Sequence, residues 1–377
     1  MNRSAWIGSG RVPSLDGLRA IAVAGVLVDH VATSGGFPIP DSLMHVTAKG
    51  AMGVDLFFVI SGFLITLLLL RERERYGAFS LRGFYTRRAL RILPAYVAFL
   101  VAVGGVAVLG APGPTPTDWF GLLTYTMNWH APAEPSQWAV GLTWTLSIEE
   151  QFYLLWPLLL LRSGPIRARI VLLLYILAVP ALRILVASIA PSFTELPAHS
   201  SLTRMDGIAM GCLMALIASD GTLDRLRVTG RRALIVAGAA LLLLFISIRL
   251  DAISTFYILV LNNTVTALLF AVLIWLAVAN SQSFPGRVLS SRLMVAVGTL
   301  SYSLYLWQGL YLVPGTLAPQ MPGLLAFAQR WPINLVFTFA TALVSYLVIE
   351  LPFLNRKDRV RGAQPHQRLI APQMPVP

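Results

Sequence analysis

Long apolar segments constrain this chain more than any other feature of its sequence. Ten stretches of 16 to 25 residues are predominantly apolar: 15–33, 51–70, 91–110, 141–161, 168–190, 204–219, 233–250, 255–279, 293–314 and 333–353. A transmembrane helix needs about 20 apolar residues, and only 12% of this chain is charged, against about 25% in soluble domains. We therefore predict an all-α, polytopic membrane helix bundle with about ten transmembrane helices. The shortest segment, 204–219, is the weakest, and 119–130 is predicted to be an interfacial helix.

The distribution of basic residues predicts the orientation of the bundle. With the N-terminus inside, the inner segments hold 23 of the 29 Lys and Arg residues, the outer segments hold four, and Arg19 and Arg183 lie within spans. Cytoplasmic segments of membrane proteins are enriched in Lys and Arg, so both termini are predicted to be cytoplasmic. Orientation in a membrane also explains the net charge of +12, and no nucleic-acid binding is expected.

The chain is predicted to form one membrane domain at 1–356, followed by a polar, disordered cytoplasmic tail at 357–377. The first apolar segment is interpreted as a retained span because it contains four polar residues that a signal peptide would exclude: Asp16, Arg19, Asp29 and His30. The single cysteine, Cys212, excludes an internal disulfide framework and a cysteine-built metal site. No cluster of metal ligands is evident.

Ionisable residues inside the spans are candidates for function, since each costs at least about 2.5–3.5 kcal/mol at the bilayer centre. Arg19 and His30 are eleven residues apart, close to three helical turns, and therefore share one face about 16 Å apart. Asp29 points about 100° away from His30. An arginine in register with a histidine could hold an anion while the histidine handles a proton. The alternative is an internal ion pair or a satisfied polar residue.

The fourth span contains two adjacent carboxyl groups. Glu149 is predicted to share a face with Thr145, Tyr153 and Trp156, whereas Glu150 points towards Leu146, Ser147 and Leu154. Glu149 is thus the better candidate for lining a polar cavity. Pro157 removes a backbone donor and is predicted to bend this helix.

A basic segment precedes the third span. Arg71–Arg75 alternates with glutamate and is predicted to be a solvated helix extension. Arg88 and Arg91 are three residues apart and face one way, at the cytoplasmic mouth of the span. Guanidinium groups match phosphate geometry, although charge that sets orientation or binds lipid headgroups is the plainer explanation. Near the end of the last span, Glu350 and Pro352 are predicted to form a structural turn.

These pieces together resemble one family. The chain is similar to the acyltransferase 3 family of bacterial membrane O-acyltransferases from about residue 11 to 356. The resemblance rests on Arg11-x3-Leu-Asp-Gly-Leu-Arg19 with ten residues before His30, GVDLFFVISGFLIT, FYTRRALRILPAY, WTLSIEEQFYLLWP, RMDGIAMG at 204–211, SYSLYLW at 301–307, and Glu350-x-Pro352. Each motif is weak alone, but their shared order is specific.

The resemblance implies an acyl-CoA donor, typically acetyl-CoA, with a hydroxyl acceptor and no tightly bound cofactor. His30 matches the family's catalytic histidine and Glu149 its typical membrane glutamate. Arg19, Arg88 and Arg91 match its basic residues and are expected to bind the donor. Gln308 departs from the histidine that many relatives carry after SYSLYLW. The implied location is the bacterial cytoplasmic membrane, and the expected partners are a carbohydrate acceptor and membrane lipids.

His30 is predicted to act as general base, oriented by Glu149, or else to form an acyl-histidine intermediate. Eight further residues are predicted to line the substrate cavity: Asp55, Ser61, Trp144, Glu150, Tyr153, Arg204, Asp206 and Tyr305. The acceptor could also be a macrolide or another small hydroxyl compound. A transporter or flippase for a glycolipid is the rival function, because buried Arg, His and Glu also serve transport pathways.

Overall fold

A computed structural model of the protein describes residues 12–33, 47–129, 137–189, 199–226, 228–251, 253–312 and 323–362. These residues form an all-helical structure. Its longer helices are α1 (Pro13–Thr33), α2 (Met52–Tyr76), α3 (Leu81–Val108), α4 (Pro116–Thr124), α5 (Thr143–Ile189), α6 (Asp206–Ser219), α7 (Gly230–Asp251), α8 (Asn262–Ala279), α9 (Arg292–Trp307), α10 (Ile333–Val344) and α11 (Leu351–Gly362).

Each predicted apolar segment is mostly helical over its described residues. The segments 141–161 and 168–190 fall largely in α5, whose backbone is interrupted at Gly164 (φ 71°, ψ 171°) rather than at Pro157. Within the described part of the chain, six helical stretches are long and apolar enough to cross a membrane, which agrees with a multi-pass membrane protein. The ten-span count and the cytoplasmic location of both termini stay predictions. Helix α11 extends to Gly362, six residues into the predicted tail, and the rest of the tail lies outside the described residues.

Small residues allow the central helices to pack backbone to backbone. A Cβ atom added to Gly62 of α2 would lie 1.9 Å from the carbonyl oxygen of Ile208 in α6, and one on Gly298 of α9 would lie 1.8 Å from that of Asp16 in α1. Small residues at interfaces between membrane helices permit this close approach. The contacts fix α1, α2, α6 and α9 as the rigid centre on which the polar side chains are placed.

One of two connections agrees with prediction. Arg71–Arg75 was predicted to extend a helix, and α2 continues to Tyr76; α3 begins at Leu81, after Ser80 accepts a hydrogen bond from the Gly83 amide. The predicted turn at Glu350 is wrong. A π-helical segment, Ser345–Glu350, connects α10 directly to α11, and its wider hydrogen-bonding pattern accommodates Pro352, which lacks a backbone donor.

Candidate active site

A polar cavity of about 1390 Å³ opens between α1, α2, α3, α5, α9 and the junction of α10 with α11. One end is lined by charged residues at the end of α2 and the start of α3, including Arg71, Glu72, Arg75 and Arg87. The opposite end is lined by Phe57, Phe58, Thr145 and Tyr305. Pockets for drug-sized ligands measure roughly 300–1,000 Å³, so this cavity can accommodate a larger molecule.

The cavity brings together most of the predicted site residues. Eight of them line it: Arg19, Ser61, Arg88, Arg91, Glu149, Glu150, Tyr153 and Tyr305. Glu150 was predicted to point elsewhere, but the cavity is wide enough to be reached from both faces of α5. Five predicted residues are not part of the lining: His30, Asp55, Trp144, Arg204 and Asp206.

Three arginines and one glutamate form the centre of the cavity, which we call the open cluster: Arg19, Arg88, Arg91 and Glu149. Arg91 repels both Arg19 and Arg88 electrostatically. Among the described residues, none of these guanidinium groups has a carboxylate within salt-bridge distance. Their N–H donors therefore remain available for an anion that enters the cavity, and such an anion would relieve their mutual repulsion.

Glu149 belongs to a hydrogen-bond network on the wall of this cavity. Tyr153 OH donates to Glu149 Oε2 at 3.2 Å and shares a hydrogen bond with Ser61 Oγ. The Arg88 guanidinium lies over the Tyr153 ring at 4.4 Å from its centroid. The recorded contacts thus connect Glu149 to Ser61, Tyr153 and the arginines, and the orientation of His30 by Glu149 stays a prediction.

His30 lies near the opposite end of α1 from Arg19, as their spacing predicted. Its imidazole faces the side-chain amide of Gln308, the first residue of the 3₁₀ turn Gln308–Leu310 that follows α9. Phe57 and Tyr305 meet edge to face with their ring centroids 6.2 Å apart, and both line the cavity wall at the end where α9 approaches Gln308.

Glu350 is a cavity residue that sequence reasoning treated as structural. It lines the cavity, is only 5% exposed, and accepts hydrogen bonds from Ser303 and from Ser345 at 3.4 Å. Among basic residues, Arg91 has the strongest electrostatic attraction to the Glu350 carboxyl group. The Glu-x-Pro motif was the available signal, because an ionisable residue at the end of a span is a functional candidate by default.

A second set of buried charges lies beside the cavity, and we call it the paired cluster: Arg183 with Asp206, and Arg204 with Asp55. Arg183 Nη2 donates to Asp206 Oδ2 at 2.7 Å, and Arg204 Nη2 donates to Asp55 Oδ1 at 3.0 Å. The Arg204 guanidinium also lies over the rings of Phe58 and Trp144. Three members of this cluster, Asp55, Arg204 and Asp206, were predicted site residues, and none of the three lines the cavity.

The geometry suits the binding of a large ligand with anionic and uncharged parts. The guanidinium groups match phosphates, and the opposite, uncharged end offers the hydroxyl groups of Thr145 and Tyr305. Within the described part of the chain, no group of three or more His, Cys, Asp or Glu side chains could hold a metal ion.

Two known proteins have similar sequences over most of this chain. The chain is 30% identical to O-acetyltransferase OatA of Staphylococcus aureus (strain NCTC 8325), over 92% of this chain and 57% of the relative. It is 28% identical to peptidoglycan O-acetyltransferase OatA of Listeria monocytogenes serovar 1/2a, over 93% of this chain and 57% of the relative. The chain thus spans less than two thirds of the length of these curated relatives. No solved structure matches it significantly.

Residues 12–350 match the family model of the acyltransferase 3 family, which is described as an acyltransferase domain. The match extends from α1 to the end of the π-helical segment and includes all four residues of the open cluster. The chain belongs to the acyltransferase 3 family.

Proposed function

We propose that this chain is a membrane-embedded O-acetyltransferase that moves an acetyl group from cytoplasmic acetyl-CoA to a hydroxyl of a cell-envelope glycan or lipid-linked sugar. The observation that carries the proposal is the cavity, which connects three guanidinium groups that have no salt bridge to a described residue with the Ser61–Tyr153–Glu149 network in one continuous space. Family membership supports acyl transfer, and the names of the two relatives support an acetyl group. The enzyme is placed in the bacterial cytoplasmic membrane.

The arginines supply the donor site. CoA carries phosphates at one end and an uncharged pantetheine arm that ends in the thioester at the other. Arg88 and Arg91 project from one face of α3 into the cavity, and planar guanidinium groups bind phosphate oxygens through paired N–H donors. The arm can then extend along the cavity towards Thr145 and Tyr305 and carry the thioester to its uncharged end.

His30 acts as the general base. An acceptor hydroxyl is a poor nucleophile until its proton is removed, and a histidine has a suitable basicity near neutral pH. His30 takes the hydroxyl proton while the oxygen forms a bond to the thioester carbonyl carbon. The C–S bond then breaks, and the CoA sulfur leaves as a thiolate that takes up a proton. The products are the acyl ester and free CoA.

The position of His30 adds one requirement to this mechanism. His30 is not among the residues that line the cavity, whose uncharged end is lined by Phe57 and Tyr305, so the thioester and His30 must be brought together for transfer. Reaction therefore needs a rearrangement at this end of the cavity, and closure of the protein around both substrates is a common way to achieve one.

A direct assay of acyl chemistry tests the proposal. The purified chain in lipid nanodiscs is incubated with radiolabelled acetyl-CoA and a chitooligosaccharide, which offers sugar hydroxyls, and both CoA thiol release and labelled sugar are measured. We expect release of thiol and acetylation of the sugar by the wild type. The His30→Ala variant should insert and fold normally but lose transfer by a factor of about 100 or more.

Other outcomes separate the alternatives. If thiol were released and a macrolide but no sugar were acetylated, the proposed acyl transfer would stand, but the acceptor would be a small hydroxyl compound and not a glycan. Movement of an unmodified glycolipid across the membrane of sealed proteoliposomes without any thiol release would identify a transporter and refute the proposal. Normal turnover by His30→Ala would remove His30 from the mechanism.

A further inference from the structure

Gln308 is a buried amide whose polar atoms are not satisfied by the surrounding protein. Its side chain is 0% exposed, and within the described part of the chain neither Nε2 nor Oε1 has a hydrogen-bond partner of standard geometry. The side chain that it faces is the imidazole of His30, at a looser geometry. Buried polar groups in proteins are almost always hydrogen-bonded, so an exception beside the proposed base needs an explanation.

Hydrogen bonds and close packing fix the backbone around Gln308, and this fixed backbone sets the position of the Gln308 side-chain amide. The Gln308 carbonyl oxygen accepts hydrogen bonds from the amides of Tyr311 at 3.0 Å and Leu312 at 2.8 Å. A Cβ atom added to Gly309 would lie only 2.8 Å from the carbonyl oxygen of Ala139. The turn that contains Gln308 therefore packs closely against the short helix Gln137–Val140.

The two helices that carry these residues are also fixed against each other. Helices α1 and α9 touch backbone to backbone where Gly298 meets Asp16, near the start of both. His30 and Gln308 lie near the other ends of the same two helices. The helices therefore run in the same direction, and their packing sets the approach of the amide to the imidazole.

We propose that Gln308 is a positioning residue for His30, whose amide oxygen accepts the imidazole N–H and leaves the other ring nitrogen as the base. A neutral imidazole has one donor nitrogen and one acceptor nitrogen, and the hydrogen bond made by one nitrogen decides the state of the other. An amide does not ionise, so it selects the ring orientation without adding charge to an apolar region. Hydrogen bonds in empty active sites are often long and shorten when substrate binds, which agrees with the loose geometry. This inference rests on the proposed function.

Two substitutions at Gln308 separate its hydrogen-bonding role from its volume. Gln308→Leu removes the acceptor at nearly constant size and should lower kcat for CoA thiol release by about 100-fold, while KM for acetyl-CoA stays within about twofold. Gln308→Glu keeps an oxygen acceptor at the same place and should retain most of the activity that Gln308→Leu loses. In a His30→Ala background, Gln308→Leu should cause no further loss, because residues that act as one unit are not additive.

Gln329→Leu is the matched control. Gln329 is also buried, at 5% exposure, but its Nε2 donates to the carbonyl oxygen of Leu310 at 3.0 Å, which is a structural contact. This variant should lower thermal stability and leave kcat within about twofold of the wild type.

The outcomes distinguish the inference from the proposed function. If the Gln308→Leu variant turned over as fast as the wild type, the positioning role would be overturned and the proposed function would stand. The same conclusion follows if Gln308→Leu lowers residual turnover equally in the presence and absence of His30, since the amide would then act independently of the imidazole. Absence of thiol release from the folded wild type would refute the proposed function itself, and with it the basis of this inference.

Discussion

The paired cluster and the open cluster contain the same residue types, but among the described residues only the arginines of the paired cluster have carboxylate partners. Arg183 makes five hydrogen bonds: Nε to Thr203 O, Nη1 to Val260 O and Thr264 Oγ1, and Nη2 to Thr203 O and Asp206 Oδ2. A guanidinium group has five N–H donors, so Arg183 has none left for a ligand. In the open cluster, three arginines face a cavity without a salt bridge to the described residues.

The difference shows that a charge inside a span is not by itself a sign of a binding site. Whether its hydrogen-bonding capacity is used up by the protein decides between structure and function. Asp55, Arg204 and Asp206 were predicted to line the substrate cavity, but they are not among its lining residues. Asp55 and Asp206 accept hydrogen bonds from arginines, and Asp206 also accepts from Thr264 Oγ1 at 2.6 Å; a role of these residues in substrate binding stays a prediction.

The largest expected effect comes from breaking the paired cluster. Asp206→Ala leaves the Arg183 guanidinium, which is 1% exposed, without its carboxylate, and should destabilise the fold by about 3–5 kcal/mol. The measurement is unfolding of the purified protein in detergent. The double variant Arg183→Met/Asp206→Leu should recover most of the loss, because it removes both charges. A single variant as stable as the wild type would show that the pair is not structural.

In the open cluster, removal of a charge should damage turnover and spare the fold. Glu149→Gln keeps the shape of the side chain but removes the carboxylate beside Ser61 and Tyr153, and should lower kcat by about 100-fold with unchanged thermal stability. Glu150→Gln is the control, because the hydrogen bond from Tyr153 goes to Glu149 and not to Glu150, and its effect should be about tenfold smaller. Equal losses would mean that the two carboxyl groups act together.

Sequence reasoning located the open cluster because its members follow a helical period. Arg19 with His30, Arg88 with Arg91, and Glu149 with Tyr153 each share a helix face, and the structure places all but His30 in the cavity lining. Periodicity cannot show how wide a cavity is. Glu150 points about 100° from Glu149 along α5 yet also reaches the cavity, which extends around more than one face of that helix.

Contacts between distant helices were beyond the reach of the sequence. The pairing of Arg183 with Asp206 and of His30 with Gln308 depends on which helices are neighbours, and a single sequence does not contain that information. The path of the chain at Glu350 was missed for a local reason. A proline near the end of a span usually marks a turn. Here the π-helical segment before Pro352 accommodates a residue without a backbone N–H donor, and the helix continues.

A smaller effect is expected for the donor site. Arg88→Ala and Arg91→Ala should each weaken acetyl-CoA binding by about tenfold, since each removes one charge-assisted contact to phosphate, and high salt should weaken wild-type binding because it screens charges. Binding of an acetyl-pantetheine thioester, which lacks the nucleotide, should change little. The measurement is donor binding at two salt concentrations. Variants that bind acetyl-CoA normally but lose the acceptor would reassign these arginines to the acceptor site.

The smallest effect tests whether burial or contact geometry makes the paired cluster strong. Arg169 Nη1 donates to Asp220 Oδ2 at 2.6 Å, nearly the same distance as between Arg183 and Asp206, but the two side chains are 27% and 39% exposed. Partial burial raises the pKa of Asp220, but hydrogen bonds from Thr222 and Arg169 outweigh it and hold the pKa below its ordinary value.

A carboxyl group with a lowered pKa stabilises the folded state at neutral pH, and this contribution is lost as the pH falls below about 4. Because the pair is exposed, Asp220→Ala should cost about 1 kcal/mol or less at pH 7, and the difference from the wild type should become smaller as the pH falls below about 4. The measurement is detergent unfolding of both proteins at pH 7 and near pH 3.5, with Asp206→Ala in parallel. If Asp220→Ala were as damaging as Asp206→Ala, ion-pair distance alone would set the strength of these contacts, and the distinction between a saturated buried pair and an open cluster would lose its energetic basis.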